Sequence, residues 1–442
     1  MENVLLYILG ILVVLVGLAV SIGLHEIGHL LPAKLFGVRV SQYMIGFGPT
    51  IFSRKRGETE YGVKAIPLGG YISMAGMFPP GKSESGSRTA TTGVFQALVQ
   101  DARTASADTL VDVDESRAFY KLPVLKRVVI MLGGPVMNLL IAIVMFAILF
   151  MGFGVAQPST TVGSVSECVL AATSERQTCE STDPDAPGFA AGIMPGDRLV
   201  SMDGQAVSSW AEATEFIRAA AGDELNIVVE RNGAEVSLVA EPLLTERYVY
   251  DDRGQIVEDA DGVAQTEEYG FLGIGSALET VQQPVTAVLP AVGDNIVSVA
   301  NVILNLPQRM VDVANAAFGP DERDPNGPIS VVGVGRIAGE ITSLDNAPVA
   351  DKVASLVGLI GSLNVALFVF NLVPLMPLDG GHVAGALFEG VRRFFAKLFG
   401  KPDPGPFDAA KFIPLTLVVV VLLGAMSAML IYADIVKPIS IF

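Results

Sequence analysis

Four apolar runs, each long enough to cross a bilayer, decide what this chain can fold into. They cover residues 4–31, 128–153, 356–378 and 412–432. A hydrocarbon core of about 30 Å needs roughly 20 residues of helix. Charged residues make up only 17% of the 442, against about 25% in soluble domains. A removed secretory leader is disfavoured for the first run, because no Lys or Arg precedes it and it is too long for a signal core. The expected architecture is an α-helical polytopic membrane protein with about four transmembrane helices.

Basic residues orient the spans. Lys34, Arg39, Arg54, Lys55, Arg56 and Lys64 follow the first run, and Lys121, Lys126 and Arg127 precede the second. Arg392, Arg393, Lys397, Lys401 and Lys411 separate the third from the fourth. The positive-inside rule makes these three stretches cytoplasmic. Both termini and the long 154–350 region are then extracytoplasmic. In that region Asp and Glu outnumber Lys and Arg by about three to one. The net charge of −17 argues against nucleic acid as a partner.

The chemistry starts at His25-Glu26-Ile27-Gly28-His29, a H-E-x-x-H sequence. On a helix, residues four apart share a face, so both imidazoles reach one metal ion. Glu26 is placed to take a proton from a metal-bound water. A structural zinc site needs four protein ligands. The chain has only three histidines and two cysteines to offer, and none of the others lies nearby in sequence. Ionisable groups inside a span are costly and mark function. A third ligand is available at Asp379, just after Pro374 and Pro377 break the third run. A bare carboxylate in so apolar a segment needs a partner such as a metal. His382 is the rival ligand.

These segments together carry a resemblance. The chain resembles the bacterial site-2 proteases, intramembrane zinc metalloproteases of regulated proteolysis. HEIGH at 25–29, GGPVMN at 133–138 and NLVPLMPLDGGH at 371–382 match that family's motifs, and YGVKAIPLGGY at 61–71 resembles its membrane-associated β-hairpin. Leu375 and Met376 depart from the family's frequent Ile and Pro. The resemblance implies one zinc ion held by His25, His29 and Asp379, with Glu26 as the catalytic acid and base. It suggests Asn371 as a contact to the substrate backbone. The hairpin would hold an unwound substrate by strand addition, with Gly69 and Gly70 permitting close approach. The implied substrates are single-span membrane proteins, such as anti-sigma factors trimmed by a first-cut protease, or leftover signal peptides. The implied location is the bacterial inner membrane, with the active site toward the cytoplasmic side.

The segment from Pro187 to Gly204, PGFAAGIMPGDRLVSMDG, resembles a bacterial PDZ domain. An inserted extracytoplasmic α+β domain is therefore expected, its peptide groove formed with Val162, Gly163, Ser164 and Val165. The expected plan is 1–78 for the first span and hairpin, 79–120 for a mobile cytoplasmic loop and 121–155 for the second span. The PDZ domain occupies 160–245, a linker with amphipathic helices 246–350, and the last two spans 351–442. Cys168 and Cys179 are the only cysteines and fall in the oxidising compartment, so a disulfide is expected between them. The alternatives are a PDZ-bearing membrane adaptor with a structural or vestigial zinc site, and a zinc-handling transporter. Neither needs Glu26 beside the first histidine.

Overall fold

The computed structural model describes residues 2–79, 94–111, 114–170, 178–249, 263–320, 322–345 and 347–439, with positions 174, 176, 256, 257 and 259. In chain order the elements begin with α1 (Glu2–Leu35), β1 (Val40–Arg56), β2 (Thr59–Met74), α2 (Val94–Asp108) and α3 (Val124–Ala147). There follow β3 (Val155–Val165), α4 (Pro187–Ala190), β4 (Arg198–Met202), β5 (Gln205–Ala206), α5 (Trp210–Ala219), β6 (Leu225–Arg231), β7 (Ala234–Ala240), β8 (Leu243–Tyr248), β9 (Thr266–Phe271) and β10 (Ile274–Val281). The chain ends with α6 (Val288–Leu304), α7 (Leu306–Phe318), α8 (Val331–Ser343), α9 (Val349–Asn371), α10 (Asp379–Leu398) and α11 (Ile413–Val436). Two compact units result: Met1–Phe153 with Gln283–Phe442, and Gly154–Gln282.

The first unit is a helical bundle of a multi-pass membrane protein. Among the described residues, five helical stretches are long and apolar enough to cross a bilayer. Four coincide with the expected runs, and the fifth is Val285–Leu304. The amphipathic pattern over 287–318 predicts an interfacial helix pair or packing element rather than a fifth span; α6 and α7 occupy it, and α6 is nonetheless long and apolar enough to cross. α6 sets Val288 and Val292 against Ala142, Phe146 and Val365 of α3 and α9. On α11, Leu415, Val418, Val421 and Leu422 are each more than half exposed. Such a surface is untenable in water over a whole helix, and hydrocarbon removes its cost.

Glycines let the bundle close tightly around its centre. A Cβ at Gly28 of α1 would lie 2.2 Å from the carbonyl oxygen of Gly133 on α3, and one at Gly133 would lie 2.0 Å from that of Gly28. The two backbones therefore touch, as small residues allow between membrane helices. Pro32 sits inside α1 and has no N–H, so the carbonyl of Gly28, four residues earlier, is released from the helix ladder at this crossing. Further along, a Cβ at Gly10 would lie 2.2 Å from the carbonyl oxygen of Ala338 on α8. Two buried ion pairs tie other elements together. Arg127 of α3 lies 2.6 Å from Glu389 of α10, and Asp434 of α11 pairs with Arg323 and accepts from the backbone N–H of Ser330.

The hairpin of β1 and β2 folds back on itself. Residues 42–45 of β1 pair with 60–63 on one side and with 70–73 on the other. This leaves the 70–74 stretch at the sheet's edge among the described residues. The mobile loop expected over 79–120 lies partly outside the described residues, at 80–93, 112 and 113. Its described part is not loop: α2 occupies Val94–Asp108, and Arg103 on α2 pairs with Asp408.

The second unit is an open sheet in the order β10-β3-β4-β6-β7, with β5 paired to β4 and a separate β8–β9 pair. Its core gathers Leu199, Met202, Ile227, Val229, Ile217 and Leu272. The unit ends at Gln282, beyond the expected limit of 245, because β10 returns across the 246–270 insert to pair with β3. Cys168 and Cys179 are joined in a disulfide.

Asp197, before β4, is 1% exposed. It accepts two hydrogen bonds from Arg231 at 2.7 Å and one from the Met194 N–H at 2.8 Å. The Arg231 hydrogen bonds hold its carboxyl below the usual carboxylate range. A depressed folded-state value means that this stabilisation is complete above the unfolded value, near pH 4, and is lost as pH falls through the folded one. Asp197→Asn is therefore expected to destabilise this unit by about 3 kcal/mol at neutral pH and to flatten its stability profile below about pH 4. Hydrogen exchange at β4 and β6 against pH measures both. A variant with the parent's acid sensitivity would show that another group controls it.

Candidate metal centre and active site

α1, α3 and α10 build the site. His25 and His29 stand one turn apart on α1, and Asp379 is the first residue of α10. The loop from 372 to 378 turns the chain sharply between α9 and α10, and two glycines make that turn fit. A Cβ at Gly380 would lie 2.4 Å from the carbonyl oxygens of Leu372 and Val373, and one at Gly381 would lie 2.6 Å from the Met376 nitrogen. Asp379 thereby stands at a helix N-terminus, where free N–H groups favour a carboxylate.

The three side chains converge. Asp379 Oδ2 lies 3.3 Å from His25 Nε2 and 3.3 Å from His29 Nε2, and the two Nε2 atoms are 3.1 Å apart. Three ligands on a tetrahedral zinc, with bonds of about 2.0–2.1 Å, would be separated by about 3.3 Å. The donor set of two imidazoles and one carboxylate is also the set that zinc takes in catalytic sites, with a fourth position left open. The residues present fit the ion. His382 is not in this donor group, although it lies one turn along α10.

Glu26 is outside the donor group as well. It is 8% exposed. A Cβ at Gly70 would lie 3.0 Å from Glu26 Cγ, so the edge segment of β2 runs directly beside this carboxylate. Gly69 has φ +103°, and a Cβ there would meet the Phe47 ring at 2.4 Å. Gly69 requires glycine, whereas a side chain at Gly70 would need its neighbours to give way by a few tenths of an ångström. Asn371 ends α9, and its amide donates to the Leu367 carbonyl at 2.9 Å; it does not enter the donor group.

At the expected groove residues Val162, Gly163, Ser164 and Val165, the Val162 N–H donates to the Asp197 carbonyl and its own carbonyl accepts from Gly196. On the other side Ser164 and Val165 pair with Gly275 and Ile274. The motif reading passed over what α3 presents to α1. The Ile130 carbonyl lies 2.7 Å from His29 Nδ1 and the Asn138 amide 3.0 Å from His25 Nδ1. Both residues lie on the face that carries Gly134, and the GGPVMN run was the available signal.

Residues 13–400 match peptidase family M50. The zinc metalloprotease Rip1 of Mycobacterium tuberculosis is 33% identical over 99% of this chain and 100% of its own length. Rip1 of Mycolicibacterium smegmatis is 31% identical over 98% and 99%, and the metalloprotease MmpA of Caulobacter vibrioides is 29% identical over 91% and 92%. These relatives are metalloproteases, which removes the basis for the adaptor and transporter alternatives. A metal-ready His-His-Asp group inside an apolar bundle and a family match over most of the chain agree: the protein belongs to peptidase family M50, the site-2 proteases, and is a zinc metalloprotease.

Proposed function

We propose that this enzyme hydrolyses peptide bonds within the transmembrane segments of single-span proteins, and that its site holds one zinc ion on His25, His29 and Asp379. The observation that carries this reading is the convergence of those three side chains within 3.3 Å inside a bundle of bilayer-spanning helices. Bound there, zinc would supply Lewis-acid polarisation of the scissile carbonyl and acidify a water molecule. Glu26 would hold the proton given up by the attacking water and pass it to the leaving amine. Burial of Glu26 keeps this transfer away from bulk solvent. A helical substrate hides its carbonyls in its own hydrogen bonds and must unwind first. The free edge at 70–74, with Gly70 against Glu26, is where an unwound strand would add. Asn371, at the end of α9, is the proposed contact to the substrate backbone.

In the proposed setting the enzyme lies in a bacterial inner membrane and four of the five candidate helices cross it, α6 packing against the bundle without crossing, so that both termini and the 154–282 unit are extracytoplasmic and the metal site lies toward the cytoplasm. The Lys and Arg distribution supports this orientation. Its substrates would be anti-sigma factors or similar single-span proteins already shortened by a first protease, or leftover signal peptides. In the PDZ-like reading of the 154–282 unit, its peptide groove involves Val162, Gly163, Ser164 and Val165. The Cys168–Cys179 bridge belongs to the same extracytoplasmic placement.

The test compares the membrane proteomes of cells carrying the wild type and the Glu26→Gln variant. Single-span stubs lacking their ectodomains are expected to accumulate in the variant. Identical stub populations would contradict intramembrane cleavage as the function.

A further inference from the structure

We propose that Asn138 is the positioning residue for His25, fixing the tautomer and plane in which this imidazole meets zinc. The inference rests on the ligand set proposed above and extends it to the helix behind it. Asn138 lies on α3 and is fully buried, at 0% exposure. Its side-chain amide is 3.0 Å from His25 Nδ1. With Nε2 turned to Asp379 and His29 Nε2, a neutral His25 that binds metal through Nε2 must carry its proton on Nδ1. That N–H needs an acceptor.

The amide can supply one in only one orientation. Oxygen and nitrogen of an Asn side chain are assigned from their hydrogen bonds. With Nδ2 toward His25, two donors would face each other, and Asn138 Oδ1 has no hydrogen-bond partner. With the amide turned over, the His25 Nδ1–H donates to Oδ1. His29 shows the same device built from backbone: its Nδ1 lies 2.7 Å from the Ile130 carbonyl oxygen. Residues 130, 134 and 138 are successive turns on one face of α3. That face thus gives an acceptor to each imidazole and, between them, the glycine that lets α1 approach. Such outer hydrogen bonds orient metal-binding imidazoles and raise their basicity, and losing one costs about 10–100-fold in metal affinity.

The experiment measures zinc affinity of the full-length protein in detergent by competition with a chelating dye, for the wild type, Asn138→Leu, Asn138→Asp and His25→Ala. Leucine keeps the branched outline of Asn138, with bulkier methyl ends, but offers no acceptor, and a loss of about 10–100-fold is expected. Aspartate keeps the acceptor and adds charge, so affinity equal to or above wild type is expected. A residue that only filled space would give the opposite order, because leucine suits an apolar interior better than a buried carboxylate does. Wild-type affinity in Asn138→Leu, or Asn138→Asp as weak as Asn138→Leu, would overturn the assignment. If only one of the two variants folds, its comparison with wild type decides. Failure of both to fold would make Asn138 a packing residue and also overturn it. His25→Ala separates the two levels: unchanged affinity there would sink the ligand set itself, whereas its loss together with an unaffected Asn138→Leu would sink only the positioning role.

Discussion

Replacing Glu26 with glutamine is expected to leave zinc bound while cleavage of a reporter span falls by about 10²–10⁴-fold. Asp379→Ala and His25→Ala are expected to lose both. The distinction follows from where the side chains stand. His25, His29 and Asp379 present their donor atoms to one point, whereas Glu26 stands apart from it, buried beside the edge of β2. Glutamine has the same shape and fits the same space, but an amide does not carry a proton at neutral pH. Removing a ligand is different in kind, because a site with three protein ligands has none to spare. Zinc content of the purified proteins and cleavage of the reporter should be measured on the same preparations. A Glu26→Gln enzyme that cuts at the wild-type rate would remove Glu26 from the proton transfers.

The metal site was legible in the sequence because its chemistry admits few residue types. His25, Glu26 and His29 lie within five residues, and Asp379 is marked by the prolines before it and the glycines after it. Elements whose reasons are non-local were harder to read. The third apolar run was taken to end the span, since Pro374 and Pro377 break it. Yet α10 resumes at Asp379 and runs to Leu398. Its signal was present in the spacing of Leu387, Phe388, Val391, Phe394, Phe395 and Leu398, one helical face that the structure leaves well exposed. α8 could likewise have been found from its cap. Ser330 accepts from the Val332 and Gly333 N–H groups, an N-terminal signature. No such signal existed for β10. It pairs with β3 more than a hundred residues back, across an acidic insert that reads as loop.

Gly134→Ala is expected to abolish zinc binding and proteolysis although it adds only a methyl group. In a helix interior this exchange by itself favours the helix by up to about 1 kcal/mol. Here the new carbon would lie 2.2 Å from His29 Nε2 and 2.6 Å from both Nε2 and Cε1 of His25. The two Nε2 atoms are the ones proposed to bind the metal, and the new carbon cannot share that space with the rings at van der Waals distance. The rings cannot swing aside without leaving Asp379, which holds both at 3.3 Å. Nor can α3 retreat freely, since Gly133 and Gly28 already lie backbone against backbone and α3 is also clamped to α10 through Arg127 and Glu389. Gly28→Ala should act by the second route, wedging α1 from α3, and so should disturb the ion pair at Glu389 less than the metal site. Gly424→Ala on α11 is the matched control, because among the described residues nothing lies within 4 Å of its Cβ position; it should keep full zinc and full activity. Zinc-replete, active Gly134→Ala protein would mean that α1 and α3 do not approach this closely in the working enzyme. A loss confined to Gly134 and Gly28, with Gly424 silent, would instead show that the zinc site depends on two bare backbones in contact as much as on the ligands they carry.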